Sequence, residues 1–270
     1  MKSLVRKSVV VSRLGLIAAI LILGFSFSQA QIPDEEERVL NKAISSAQNY
    51  LASEGAELDL QSLFLYQYVE RKFDLKPISD EKLEKNLPTD HIFYPFLRLV
   101  SGGDPKVDST IFSKAGSEID QVTLRSIYCD RFPLPKSFLH TLKKASEKGK
   151  YSLTHALWAL QLMQENGCLE RLDDGRNLAD EIAIRVANMV NESSFKDDIA
   201  IEGICFLYGM NRIDLVNPSW IRIMTGHQAS NGGFYRTAKN SLTNTKTTVL
   251  ALWCMLEYQT GGSVSEPWIH

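Results

Sequence analysis

The sequence predicts an all-α fold, and three observations carry that prediction. Apolar residues recur at helical spacing, glycines and prolines fall between the periodic stretches, and two apolar segments match at a fixed offset. The first periodic stretch follows Asp34, Glu35, Glu36 and Glu37, whose charge suits the positive end of a helix dipole. Leu40, Ala43, Ile44, Ala47 and Leu51 then mark one face at i, i+3, i+4, i+7 spacing. Further helices are predicted over 59–73, 80–86, 91–101 and 117–129. The rest are predicted over 135–148, 151–166, 176–191, 198–210, 217–228 and 244–260. Gly102-Gly103-Asp104-Pro105, Pro133-Leu134-Pro135, Gly167, Pro218, Gly232-Gly233 and Gly261-Gly262 punctuate them. No window sustains the alternation of a strand.

Residues 151–167 and 246–262 align at an offset of 95. Ala156-Leu157-Trp158 matches Ala251-Leu252-Trp253, Gln164 matches Gln259, and Gly167 matches Gly262. Phe206 lies 48 residues after Trp158 and 47 before Trp253, a period of two helices with their turns. Apolar helices alternate with amphipathic ones such as 177–191. The expectation is an inner layer buried on most faces and an outer layer with one wet face.

The stretch 226–256 (GHQASNGGFYRTAKNSLTNTKTTVLALWCML) places a Gln before Gly-Gly-Phe, then a Thr-rich helix start and an Ala-Leu-Trp run. It resembles the repeat unit of α/α-toroid proteins, shared by terpenoid cyclases, protein prenyltransferases and complement-type thioester domains. The resemblance implies an α/α helical repeat, as an incomplete toroid or curved helical array, over 31–262, with 263–270 as a flexible tail. Gly232 and Gly233 would allow a tight turn, Gln228 would bond backbone at a helix end, and Phe234 would plug the gap between helix pairs. The catalytic signatures of these families do not carry over. There is no D-x-D-D cluster and no Cys-Gly-Glu-Gln context, and no spacing marks a zinc set of Asp, Cys and His. Asp173-Asp174 and Asp197-Asp198 are lone pairs that suit helix ends.

The chain starts with a basic segment, Lys2, Arg6, Lys7 and Arg13, followed by a charge-free run over 14–27. Ser28-Gln29-Ala30 sets small residues at a cleavage site, so residues 1–30 read as a signal peptide cut after Ala30. The run is shorter than the roughly 20 residues a spanning helix needs, and no stable membrane insertion is expected after cleavage. Cleavage takes four basic residues with it and moves the formal charge from −2 to −6. Such a balance supplies no basic face for nucleic acid. Destination is therefore expected to be periplasmic or extracellular, where disulfides are permitted. Of the four cysteines, Cys129 and Cys168 fall at helix ends and are the better bridge candidates, whereas Cys205 and Cys254 lie in apolar helical runs.

Candidate site residues are few. The polar loop 227–246 offers His227, Gln228, Asn231, Tyr235, Arg236, Lys239 and Asn240, which would suit a sugar chain. Tyr, His and Arg also furnish the base and the cation that some polysaccharide lyases use. His155 lies one turn into an apolar helix beside Trp158, where it would face a cavity or pack in the core. No metal set, cofactor motif, phosphate loop or nucleophile elbow is present. The expected function is an exported binding or scaffolding module with a concave surface. The alternative is a carbohydrate-active enzyme, a polysaccharide lyase or glycoside hydrolase. The partner is a glycan or another exported protein.

Overall fold

Helix α1 (Asp34–Glu54) buries the face that the periodicity marks, with Tyr50 added to it. It belongs to a computed structural model that describes residues 33–54, 58–78, 87–100, 105–193, 195, 198–236 and 242–269. The leader expected over 1–30 and the helix expected over 80–86 lie outside the described residues.

Helix α2 (Leu60–Phe73) starts at Asp59, whose side chain accepts from the Ser62 amide at 2.7 Å. The helix expected over 91–101 is instead a 3-10 turn, Tyr94–Leu99. Pro95 explains the difference, since it has no amide to donate and disfavours helical geometry at Tyr94. A short helix α3 (Ile111–Lys114) precedes α4 (Glu118–Ile127), which Ser117 caps. Helices α5 (Phe138–Ser146), α6 (Lys150–Glu165), α7 (Gly175–Glu192) and α8 (Asp198–Gly209) follow. Helix α9 (Pro218–Thr225) has Pro218 in its first turn, where a missing amide costs nothing. Two-residue strands β1 (Phe234–Tyr235) and β2 (Thr243–Asn244) then pair antiparallel and lead into α10 (Thr245–Gln259). The fold is all-α apart from that ladder, which is too short to leave an alternating pattern in the sequence.

Helices α4, α6, α8, α10 and α2 are neighbours in that order, and the Tyr94–Leu99 turn packs on α4. Every residue from Ala200 to Tyr208 in α8, and from Thr247 to Glu257 in α10, is buried. By contrast α1 and α7, which have one solvated face, bury residues at intervals of three and four. Residues 48 apart meet between α6 and α8. The Thr154 hydroxyl donates to Glu202 Oε1 at 2.6 Å, and Trp158 stacks on Phe206 with centroids 5.6 Å apart. A Cβ at Gly209 would strike the Gln161 amide. Partners rise together along both helices, so α6 and α8 run parallel.

Buried polar ties fix the neighbours. Lys72 of α2 meets Glu257 Oε1 of α10 at 2.5 Å, and that oxygen also accepts from Trp253 Nε1 at 2.8 Å. Arg98 donates to Asp130 at 2.7 Å and to the Ile127 carbonyl, holding the 3-10 turn against the end of α4. Removing one partner of such a pair strands a buried charge, which is costly. A disulfide joins Cys129 after α4 to Cys168 after α6.

The C-terminal residues correct the expectation of a flexible tail over 263–270. Trp268 is 0% exposed. Its ring lies 3.4 Å from Tyr68 in a near-parallel stack and within 6 Å of Phe64, Trp158 and Trp253. Glu165 Oε2, at the end of α6, accepts from the Trp268 and Ile269 amides, and Arg71 pairs with Glu266 at 2.9 Å. A single tryptophan has no periodicity to announce it, so composition alone reads the segment as loose.

Trp268→Ala is expected to lower unfolding stability by about 3–5 kcal/mol, measured by chemical denaturation. A loss below about 1 kcal/mol would mean that the ring is not part of the core. Burial raises the Glu165 carboxyl to about 7, against the hydrogen bonds from Gln161, Trp268 and Ile269. The native state thus keeps a proton that the unfolded chain sheds near its ordinary value of 4.5. Stability contributed at this site is therefore full below that value and lost as pH rises to about 7. Glu165→Gln should flatten that slope, which denaturation midpoints across the same pH window will show.

Candidate functional site

A cavity of about 290 Å³ lies among the first turns of the inner helices. Gln61 and Phe64 come from α2, Asp120 and Thr123 from α4, and Lys246 from α10. Tyr151, His155 and Trp158 follow one another along a single face of α6 at i, i+4, i+7. Glu202 and Phe206 do the same on α8, and Ile92, Phe93 and Phe96 close the side between α2 and α4. Parallel α6 and α8 bring His155 and Glu202 to the same level. The lining is largely apolar and includes the rings of Phe64, Phe93, Phe96, Tyr151, Trp158 and Phe206, with its ionisable groups near the helix starts.

His155 Nε2 stands 3.6 Å from Glu202 Oε1, beyond hydrogen-bond reach. Its imidazole packs on the Tyr151 ring at 3.9 Å and meets Trp158 edge-on at 5.6 Å. Burial lowers the His155 pKa, and Lys246 acts in the same direction while Glu202 and Asp120 oppose it. The imidazole is therefore neutral at pH 7. Glu202 Oε1 accepts from Thr154, and its Oε2 lies 3.6 Å from Lys246 Nζ. Burial also pushes the Tyr151 phenol upward, helped by the charges of Asp120 and Glu202.

Five buried side-chain atoms lack a hydrogen-bond partner among the described residues: Arg98 Nε, His155 Nδ1, Trp158 Nε1, Gln161 Oε1 and Trp268 Nε1. Two of them belong to cavity-lining residues, His155 and Trp158. A buried polar group left unpaired costs about 1–3 kcal/mol, and a ligand with donors and acceptors would recover that. Neutral imidazole can offer or accept a proton at Nδ1, whereas indole can only donate.

The candidate residues of the 227–246 loop lie elsewhere, although Lys246 at its end lines the cavity. His227 is exposed, and its amide closes α9 on the Met224 carbonyl. Gln228 Nε2 donates to the Ala43 and Gly232 carbonyls, both at 2.9 Å. Asn231 holds the turn through the Thr243 hydroxyl and the Gly233 amide. Gly232 has φ 89°, and a Cβ there would collide with the Ser46 carbonyl. Tyr235 is exposed, and Arg236 Nε sits 3.8 Å from Asp198 Oδ2 at the start of α8. None of these five residues lines the cavity. Lys239 and Asn240 lie outside the described residues. Among the described residues, no three His, Cys, Asp or Glu side chains gather to hold a metal ion, and no helix is long and apolar enough to cross a membrane.

Sequence reasoning missed Asp120, Tyr151, Glu202 and Phe206 as site residues. One signal for Glu202 was present. It is the only charge in the apolar run from Ala200 to Tyr208, and a charge inside a fully buried helix needs a partner.

Comparison with known proteins finds no matching family model, no matching curated protein and no matching solved structure.

The electrostatics of the site set the direction of two substitutions. Lys246→Met should raise the His155 pKa by removing a nearby cation, and Glu202→Gln should lower it further. NMR titration of the imidazole resonances measures both. Opposite signs for the two variants are required, and a common sign would place His155 away from one of these groups.

Proposed function

We propose that the chain is an exported protein built as an α/α helical array, which binds a short, uncharged sugar segment in the cavity at the starts of its inner helices. The observation that carries this reading is a cavity with aromatic rings in its wall whose lining residues His155 and Trp158 each have one buried nitrogen without a partner. Sugars present apolar C–H faces to aromatic rings and hydroxyls to polar atoms. The rings of Tyr151, Trp158 and Phe206 supply the first contact, and His155, Gln61 and Asp120 supply the second. The volume lies at the lower end for a small-molecule site, which suits one or two sugar units.

Charge argues for a neutral ligand. Asp120 and Glu202 face one cation, Lys246, across the cavity, and His155 is uncharged. A uronate would meet two carboxylates and a lysine already paired with one of them. This disfavours the lyase reading. Export is supported by the basic, apolar, small-residue pattern of residues 1–30 and by the Cys129–Cys168 bond.

A second reading, hydrolysis of the bound sugar, rests on Asp120 and Glu202 lining one cavity from different helices. Paired carboxylates are the groups that protonate a leaving oxygen and activate water or attack the sugar. The test screens the mature protein on a glycan array and then titrates its tryptophan fluorescence with any hit. Tyr151→Ala and His155→Ala are expected to weaken binding by about tenfold or more, roughly 1.4 kcal/mol. Tyr235→Ala and Arg236→Ala should leave it unchanged. Binding that survives Tyr151→Ala and His155→Ala rejects the cavity. Sugar release lost in Asp120→Asn with binding retained would select the enzyme over the binder.

A further inference from the structure

Cys205 of α8 and Cys254 of α10 face each other in the core with their sulfurs 2.8 Å apart. Both side chains are 0% exposed. The separation is longer than the ~2.05 Å of a disulfide but well inside the spacing of two sulfurs in ordinary contact. Their other polar contacts are reciprocal. Cys205 Sγ points to the Leu250 carbonyl of α10 at 3.3 Å, and Cys254 Sγ to the Ile201 carbonyl of α8 at 3.2 Å. Each sulfur is therefore aimed into the opposite helix, at the other. Cys129 and Cys168 are already joined, so Cys205 and Cys254 are the remaining pair in a chain of four cysteines.

We infer that Cys205 and Cys254 form a second disulfide in the exported protein, which covalently ties α8 to α10. The bond forms by thiol–disulfide exchange. One Cys thiolate attacks an external disulfide, such as that of a thiol oxidoreductase or oxidised glutathione, and the other thiolate then displaces the mixed partner. The two cysteines lose two electrons and two protons, and the external disulfide leaves as two thiols. Burial pushes the Cys205 thiol upward, so its thiolate is scarce in the folded core. Oxidation accordingly precedes the docking of α10 on α8, and the finished bond is shielded from reductants while the fold stays closed.

The two bonds have parallel effects. Cys129–Cys168 links the ends of α4 and α6, and Cys205–Cys254 links the middles of α8 and α10. Cys205 is next to Phe206, and Cys254 next to Trp253, whose rings meet at 6.0 Å. The second bond thus holds the contact between Phe206, which lines the cavity, and Trp253, which packs on Trp268 beneath it. This inference needs export but not the identity of the ligand.

The test denatures the full chain, secreted through its own leader, in iodoacetamide without reductant. Intact mass is expected to show no alkylated cysteine, against four after reduction. Peptide mapping without reduction should recover Cys205 linked to Cys254. Alkylation at both Cys205 and Cys254, or at all four cysteines, overturns the inference. The variant Cys129→Ser/Cys168→Ser isolates the pair. If it is secreted, its two remaining cysteines should still resist alkylation, and labelling of either would overturn the inference. If it is not secreted, the wild-type mapping decides alone.

Discussion

The ring of Trp268, two residues from the end of the chain, sets the distance between helices that lie far apart in sequence. It stacks on Tyr68 and meets Phe64 of α2, Trp158 of α6 and Trp253 of α10. Aromatic packing of this kind is stiff, because each ring is large and its rotamers are few. The helices cannot close further without expelling Trp268, nor open without exposing it. Trp158 and Phe64 sit on this stack and also line the cavity above, so the seat of the tail determines the cavity's depth. Glu165 secures the seat by accepting two amides of the tail, and a partly buried carboxyl near neutrality makes that hold sensitive to pH.

A different constraint governs the mouth of the cavity. Glu202 is buried in α8, where a lone charge would be costly, and two features offset it. Thr154 donates a hydrogen bond and Lys246 supplies an opposite charge. Asp120 occupies the corresponding place in α4 and is held by the Ser117 cap. The carboxylates are therefore as much a product of helix starts as of any requirement for ligand. Lys246 offsets only one of the two carboxylates, so the cavity carries no surplus of positive charge.

Much of the fold was legible because helix periodicity survives in one sequence. The face of α1 from Leu40 to Leu51 and the mainly apolar runs of α8 and α10 could be read directly. Pro218 and the Gly232-Gly233 turn marked breaks by known backbone limits, whereas the break at Pro95 was passed over by the helix expected across 91–101. The spacing of 48 between Trp158 and Phe206 also proved to be a contact distance, since the two rings stack. What could not be read was anything made by single residues from separate elements. Trp268 has no pattern around it, the β1–β2 ladder is two residues long, and the cavity joins six segments whose order in space is not written in any window.

The gap between the resemblance and the site follows from the same logic. Residues 226–256 perform a local task. Gln228 ties the turn to α1, Gly232 passes the Ser46 carbonyl, and Phe234 fills the space behind. Such tasks recur wherever a chain must re-enter a helix layer, so they leave a recognisable string and say nothing of chemistry. His155, by contrast, sits in an ordinary apolar helix, and only the parallel neighbour brings Glu202 level with it. The polar loop drew attention because exposed polar residues look functional, yet Gln228 and Asn231 are spent on the loop's own turn and on α1, and Arg236 pairs with Asp198. Two nitrogens without partners, His155 Nδ1 and Trp158 Nε1, belong instead to the apolar helix in which the sequence offered His155.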